Sequence, residues 1–225
     1  QDNMKGEYME KLSDLINLKQ KAFSQHPFFH NPINPSLPIK ESLAFLPKIA
    51  FFILTFGDIN KYILPFENPQ DDLEIAVNNH ALEDSDHWYW YIDDLRTLRM
   101  NEPQLFTDTL VWLWSPQMEA NRKLTYELIS AIVNQPAKIR LAVIESMEAT
   151  GRVFFTYINQ IAKLSPAPLK YCGDLHLAHE SGHAMGSDAE LIDTINYTDE
   201  EHILCVHLIE KIFIAFSRFI DEINQ

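Results

Sequence analysis

The stretch His176-Leu177-Ala178-His179-Glu180-Ser181-Gly182-His183 places three of the chain's nine histidines and a carboxylate within eight residues. On a helix, positions 176, 179, 180 and 183 follow the i, i+3, i+4, i+7 rule and share one face over about two turns. Such a stripe is either a metal-ligand face or a polar face turned to solvent. Two ligand patterns overlap in it. His179-Glu180-Ser181-Gly182-His183 is H-E-x-x-H, in which both histidines bind zinc and Glu180 is the general base of a peptidase. That pattern continues to Gly186 but has Ala189 where a third histidine would extend it. His176, Glu180 and His183 instead form H-x3-E-x2-H, half of a carboxylate and histidine site inside a helical bundle.

Composition bounds what surrounds this stretch. A chain of 225 residues, 46% apolar and 12% aromatic with only 6 glycines, suits one domain of long helices over 1–225 better than a turn-rich β protein. The net charge of −14 argues against a nucleic-acid surface, which needs clustered Lys and Arg. Two cysteines, Cys172 and Cys205, outside any C-x-x-C motif, read as the reduced thiols of a cytoplasmic protein. The first residues show no basic region followed by an apolar run, so no signal peptide is expected. The most apolar stretch, Leu43 to Gly57, contains Pro47 and Lys48 and is too short to span a bilayer, so no membrane segment is expected either.

Outward from the histidine stretch, breakers divide the chain into helices. Apolar periodicity predicts a first helix over about 5–25, a Pro- and Asn-rich loop over 28–38, and a second helix over 38–64 kinked at Pro47. Residues 71–100 contain neither Gly nor Pro and read as one long helix. On it His80, Glu83, Asp84 and His87 repeat the i, i+3, i+4, i+7 spacing, followed at once by Trp88-Tyr89-Trp90-Tyr91. Residues 103–133 give one or two helices divided near Ser115-Pro116. A helix from Pro136 to about Leu164 carries Glu145 and Glu148 among Leu141, Val143, Ile144 and Met147, where a buried carboxylate needs a balancing partner. The histidine stretch falls on a helix over about 169–195, and Thr198-Asp199-Glu200-Glu201 is a capping box opening the last helix. His202 and His207 lie off any ligand stripe. No sustained strand-like alternation occurs, so the expected fold class is all-α, a single-domain helical bundle.

A Glu and His on one helix (Glu83, His87), a Glu on a second (Glu148) and His176, Glu180 and His183 on a third resemble the haem-oxygenase-like diiron oxidases and oxygenases. The similarity follows the helix order over most of the chain and includes the His26-Pro27-Phe28-Phe29 step after the first helix. It is nearest to the branch that includes the Chlamydia protein associating with death domains. The resemblance implies a haem-oxygenase-like bundle and two non-haem iron ions held by Glu83, His87, Glu148, His176, Glu180 and His183, with His80, His179 and Glu145 as further candidates. It also implies O2 as co-substrate, a small organic substrate, and Glu148 and Glu180 at the reacting centre. The chain departs from the pattern in three ways. Glu180 stands where the family usually has Asp. Glu83 precedes His87 by four residues where seven is usual, so that His80 stands at the usual glutamate position. Phe29 and Ile158 stand where one branch uses its own Tyr and Lys in making an aminobenzoate, so that activity is not implied. A homodimer is a possible assembly, and an H-E-x-x-H zinc peptidase and a partner-binding protein on the same bundle are the alternatives to the oxidase. A haem role would leave most of these ligands unexplained.

Overall fold

The computed structural model describes residues 9–184 and 188–225, with the side chains of 180–190 outside the description. Its helices are α1 (Leu12–Phe23), α2 (Ile39–Ser42), α3 (Ala50–Asp58), α4 (Asp72–Asp84), α5 (Trp88–Thr97), α6 (Phe106–Leu113), α7 (Glu119–Ile132), α8 (Ala137–Ala162), α9 (Asp174–Ala184), α10 (Asp188–Thr194) and α11 (Asp199–Ile223). Among the described residues there is no strand, and the protein is an all-α bundle. Buried apolar side chains from Leu12 to Ile223 form one contiguous cluster.

α8 is the axis of the bundle. It packs against α1, α4, α7, α9, α10 and α11, and every residue from Ile139 to Thr150 is buried. A helix that is apolar nearly all round belongs in a core, which is why Glu145 and Glu148 are both taken out of water with it. Arg140 is held in the same interior by donating to the carbonyls of Leu64 at 2.7 Å and Gln135 at 2.8 Å while lying over the Phe66 ring. α11 begins at the expected capping box: Glu201 N–H donates to the Thr198 hydroxyl, and Thr198 N–H to the Glu201 carboxylate.

Several expected helices are interrupted. α1 starts at Leu12, with Met9 to Lys11 non-helical and residues 5–8 outside the described residues. The 38–64 helix is broken by a 3-10 turn, Leu46–Ile49, with Pro47 in its first turn, where the missing N–H goes unneeded. After α3 the chain relaxes into a π-helical turn, Ile59–Ile63. By length and composition, the segment Ile39–Ile63, with its 3-10 and π turns included, is apolar enough to cross a membrane, an 18-residue window in it reaching a mean hydropathy of 1.6, and it is longer than the sequence reading allowed. In the fold its Leu43, Leu46, Ile49, Phe52, Ile53 and Ile59 are buried in the core.

The expected helix over 71–100 is two helices, α4 and α5, separated by a turn at 85–87. Ser85, Asp86 and His87 are weak helix formers whose side chains compete for backbone groups. The Ser85 hydroxyl donates to the Leu82 carbonyl, and the N–H groups of Tyr89 and Trp90 bond three residues back, to Asp86 and His87. Gly57 permits this corner to approach α3. A Cβ there would stand 2.9 Å from Trp88 Cδ1 and 3.3 Å from the Ser85 carbonyl oxygen. Likewise 169–173 is not helical and α9 begins only at Asp174.

Candidate metal centre

The corner between α4 and α5, the middle of α8 and the start of α9 meet around one cavity. His80, Asp84, His87, Glu148 and His176 line it together, and each is less than a tenth exposed. His80 stands between two carboxylates, with Nδ1 2.9 Å from Glu148 Oε1 and Nε2 3.1 Å from Asp84 Oδ2. Asp84 also faces His87, Oδ1 to Nδ1 at 3.6 Å. The His87 ring stacks on Trp90 at 4.3 Å between centroids and meets the His176 ring edge-on at 4.8 Å.

His176 is oriented by the backbone. Its Nδ1 lies 3.0 Å from the Tyr171 carbonyl oxygen, which can only accept, so Nδ1 carries the proton and the neutral ring has its lone pair on Nε2. The loop supplying that carbonyl is clamped to α5 by Asp94, which accepts from Lys170 N–H at 2.7 Å and from Cys172 N–H at 2.9 Å. Burial pushes the Asp94 carboxyl above its ordinary range, and the two N–H donors oppose that. Gly173 closes the turn, since a Cβ there would fall 2.0 Å from the Leu169 carbonyl oxygen. This carbonyl-to-imidazole support is the arrangement that fixes the tautomer of metal-binding histidines.

The expected site residues divide accordingly. His87, Glu148 and His176 come together, and His80 joins them. Glu83, expected as a ligand, is on the exposed side of α4, and Asp84, one residue on, occupies the inward position on the same side as His80 and His87. Glu145 is buried but does not line the cavity. His179 is exposed, with its ring 5.4 Å from His87 and 5.2 Å from Trp90. Glu180 and His183 lie on α9, but their side chains are outside the described residues. Among the described residues, no three His, Cys, Asp or Glu side chains are spaced to hold a metal ion. The imidazoles and carboxylates there face one another. Asp94 and the Tyr171 carbonyl escaped the sequence reading, although an acid at the end of a Trp- and Tyr-rich run was a visible signal.

By residue type alone, the three imidazoles and two carboxyl groups buried around this space are donors that iron accepts. Both cysteines are buried, and burial pushes the Cys205 thiol up to about 12 and raises Cys172 further from reactivity. Neither is a nucleophile in this setting. Compared with protein-family models and with curated proteins, the chain matches none.

Proposed function

We propose that this protein is an O2-activating non-haem iron oxidase or oxygenase, its iron held by His80, Asp84, His87, Glu148 and His176 with Glu180 and His183 from α9. The observation that carries the reading is the burial of two carboxylates and three imidazoles around one cavity that is otherwise mainly apolar. Iron bound there would supply O2 binding and electron transfer to oxygen, with carboxylates able to bridge two ions and offset their charge. Asp84 and Glu148 put two carboxyl groups at one end of a mainly apolar space. His176 presents Nε2 because the Tyr171 carbonyl holds Nδ1–H, and the His87 ring lies stacked on Trp90. The apolar wall takes the organic substrate.

The zinc-peptidase reading needs His179 directed inward with His183. His179 is exposed while His176, which that pattern does not use, is buried in the cavity. Metal analysis of protein produced with iron and zinc both available tests the proposal. About two iron per chain, with O2 consumption after reduction, is expected. One zinc per chain with peptidase activity would overturn it.

A further inference from the structure

α6 is turned inside out for a surface helix. None of its residues is buried. Its half-buried side is Thr109, Trp112 and Leu113, while Phe106, Leu110 and Trp114, four residues apart on one face, and Val111 beside them are exposed. The ordinary arrangement is the reverse, with the apolar stripe inward and polar side chains outward. Leu105, Phe106 and Val111 are 70%, 75% and 71% exposed, Trp114 is 60% and Leu110 41%. The C-terminal end is tied to the bundle: Trp114 meets the Phe51 ring edge-on at 5.5 Å, and Arg122 donates to the carbonyls of Leu113 at 2.9 Å and Ser115 at 2.8 Å. Eight residues do not hold a helix in water by backbone bonds alone, for which about 12–15 are needed, so a cover over the apolar face would stabilise α6.

We propose that α6 is the contact of a two-fold dimer, in which a second copy of this chain covers Phe106, Leu110, Val111 and Trp114. The face is symmetric about Leu110, with Phe106 four residues before it and Trp114 four after. A two-fold axis through Leu110 lays two copies of α6 antiparallel, each Phe106 on the partner's Trp114, which is the self-complementarity an isologous contact requires. With about 200 Å² for an aromatic side chain and roughly 100 Å² for Leu or Val, the exposed fractions leave about 450 Å² per copy to cover. A pair then buries about 900 Å² from these side chains, and the exposed rim of Gln104, Thr107 and Asp108 carries it past the ~1,000 Å² that a specific interface needs. A lipid surface fits this face less well. Residues 101–115 contain Glu102 and Asp108 but no Lys or Arg, and the chain carries a net charge of −14, whereas helices that lie on anionic membranes have basic flanks. The dimer does not depend on the iron reading.

Sedimentation of the full chain tests this. A contact at the small end of the specific range should dissociate on dilution, with a dissociation constant on the order of 10 µM, so the mass should rise with concentration from 26.1 kDa toward twice that value. Phe106→Asp and Leu110→Glu should each weaken association by about tenfold or more, because each puts a charge into the covered face. Neither side chain is buried in the single chain, so circular dichroism and melting of the dilute variants should match the parent. Leu82→Glu, on α4 and 76% exposed, should leave association unchanged. Leu110→Cys should form a disulfide between copies on mild oxidation, since the native Cys172 and Cys205 are both buried. A mass of 26.1 kDa at every concentration would overturn the proposal, and binding of that monomer to phosphatidylcholine vesicles, lost in Phe106→Asp, would assign the face to lipid instead. A dimer indifferent to both Phe106→Asp and Leu110→Glu, one weakened equally by Leu82→Glu, or a Leu110→Cys chain that fails to cross-link would overturn it as well.

Discussion

His80 and Glu148 meet through Nδ1 and Oε1 at 2.9 Å in the interior of the bundle, although one lies on α4 and the other on α8. The pair joins the two helices at the point where a second carboxylate, Asp84, closes on the other ring nitrogen. His80→Ala should therefore destabilise the fold by roughly 3–5 kcal/mol, because it removes the imidazole that faces two buried carboxyl groups. Glu83→Gln, on the exposed side of the same helix, should change stability by no more than about 0.5 kcal/mol. Urea unfolding monitored by circular dichroism measures both. Equal effects would contradict the inward placement of Asp84.

Gly173 and Asp94 hold the loop that aims His176. Gly173→Ala must displace backbone, since the added Cβ would lie 2.0 Å from the Leu169 carbonyl oxygen, and a cost of about 1–3 kcal/mol is expected. Asp94→Asn puts an amide N–H where the N–H of Lys170 or Cys172 needs an acceptor. Both variants should weaken iron binding by about tenfold or more without removing any ligand. Iron titration of the refolded variants provides the measurement, and unchanged affinity in both would mean that the loop does not position His176.

The capping box gives a pH dependence. The Glu201 carboxylate is held below its ordinary range, first by the Lys138 ammonium and then by the Thr198 N–H. A depressed carboxylate stabilises the fold at pH values above its unfolded pKa, and that contribution is lost as pH falls through the lower, folded pKa. Glu201→Gln should thus lower the melting temperature at neutral pH, and the difference from the parent should shrink in acid as the carboxylate protonates. A difference constant from neutral pH to pH 3 would show that the ion pair contributes nothing.

The all-α class, α8, the capping box and the break at Ser115-Pro116 were legible because each is written locally, in apolar period, breakers and cap residues. The division of 71–100 was not, because no Gly or Pro marks it; the turn at 85–87 depends on α3 coming close at Gly57, a contact remote in sequence. Whether Glu83 or Asp84 faces inward was also open, because on an ideal helix both share a stripe with His80 and His87, and only the packing of α4 against α8 chooses between them. The burial of Glu145 was equally invisible, since only the surrounding helices determine that α8 meets no water from Ile139 to Thr150. His176, in contrast, could be picked out by its place in H-x3-E-x2-H, and its pairing with the Tyr171 carbonyl explains why it, rather than His179, lies inside.

The most direct test of the iron centre is the iron-to-protein ratio of His87→Ala and His179→Ala beside the parent, after loading with ferrous iron without oxygen. His87 is buried on the cavity and His179 is exposed outside it. The account predicts that His87→Ala loses most of its iron, whereas His179→Ala keeps a ratio close to the parent's. If His87→Ala bound as much iron as the parent while His179→Ala lost it, the centre would be the H-E-x-x-H motif on α9 and the assignment to His80, Asp84, His87, Glu148 and His176 would be wrong.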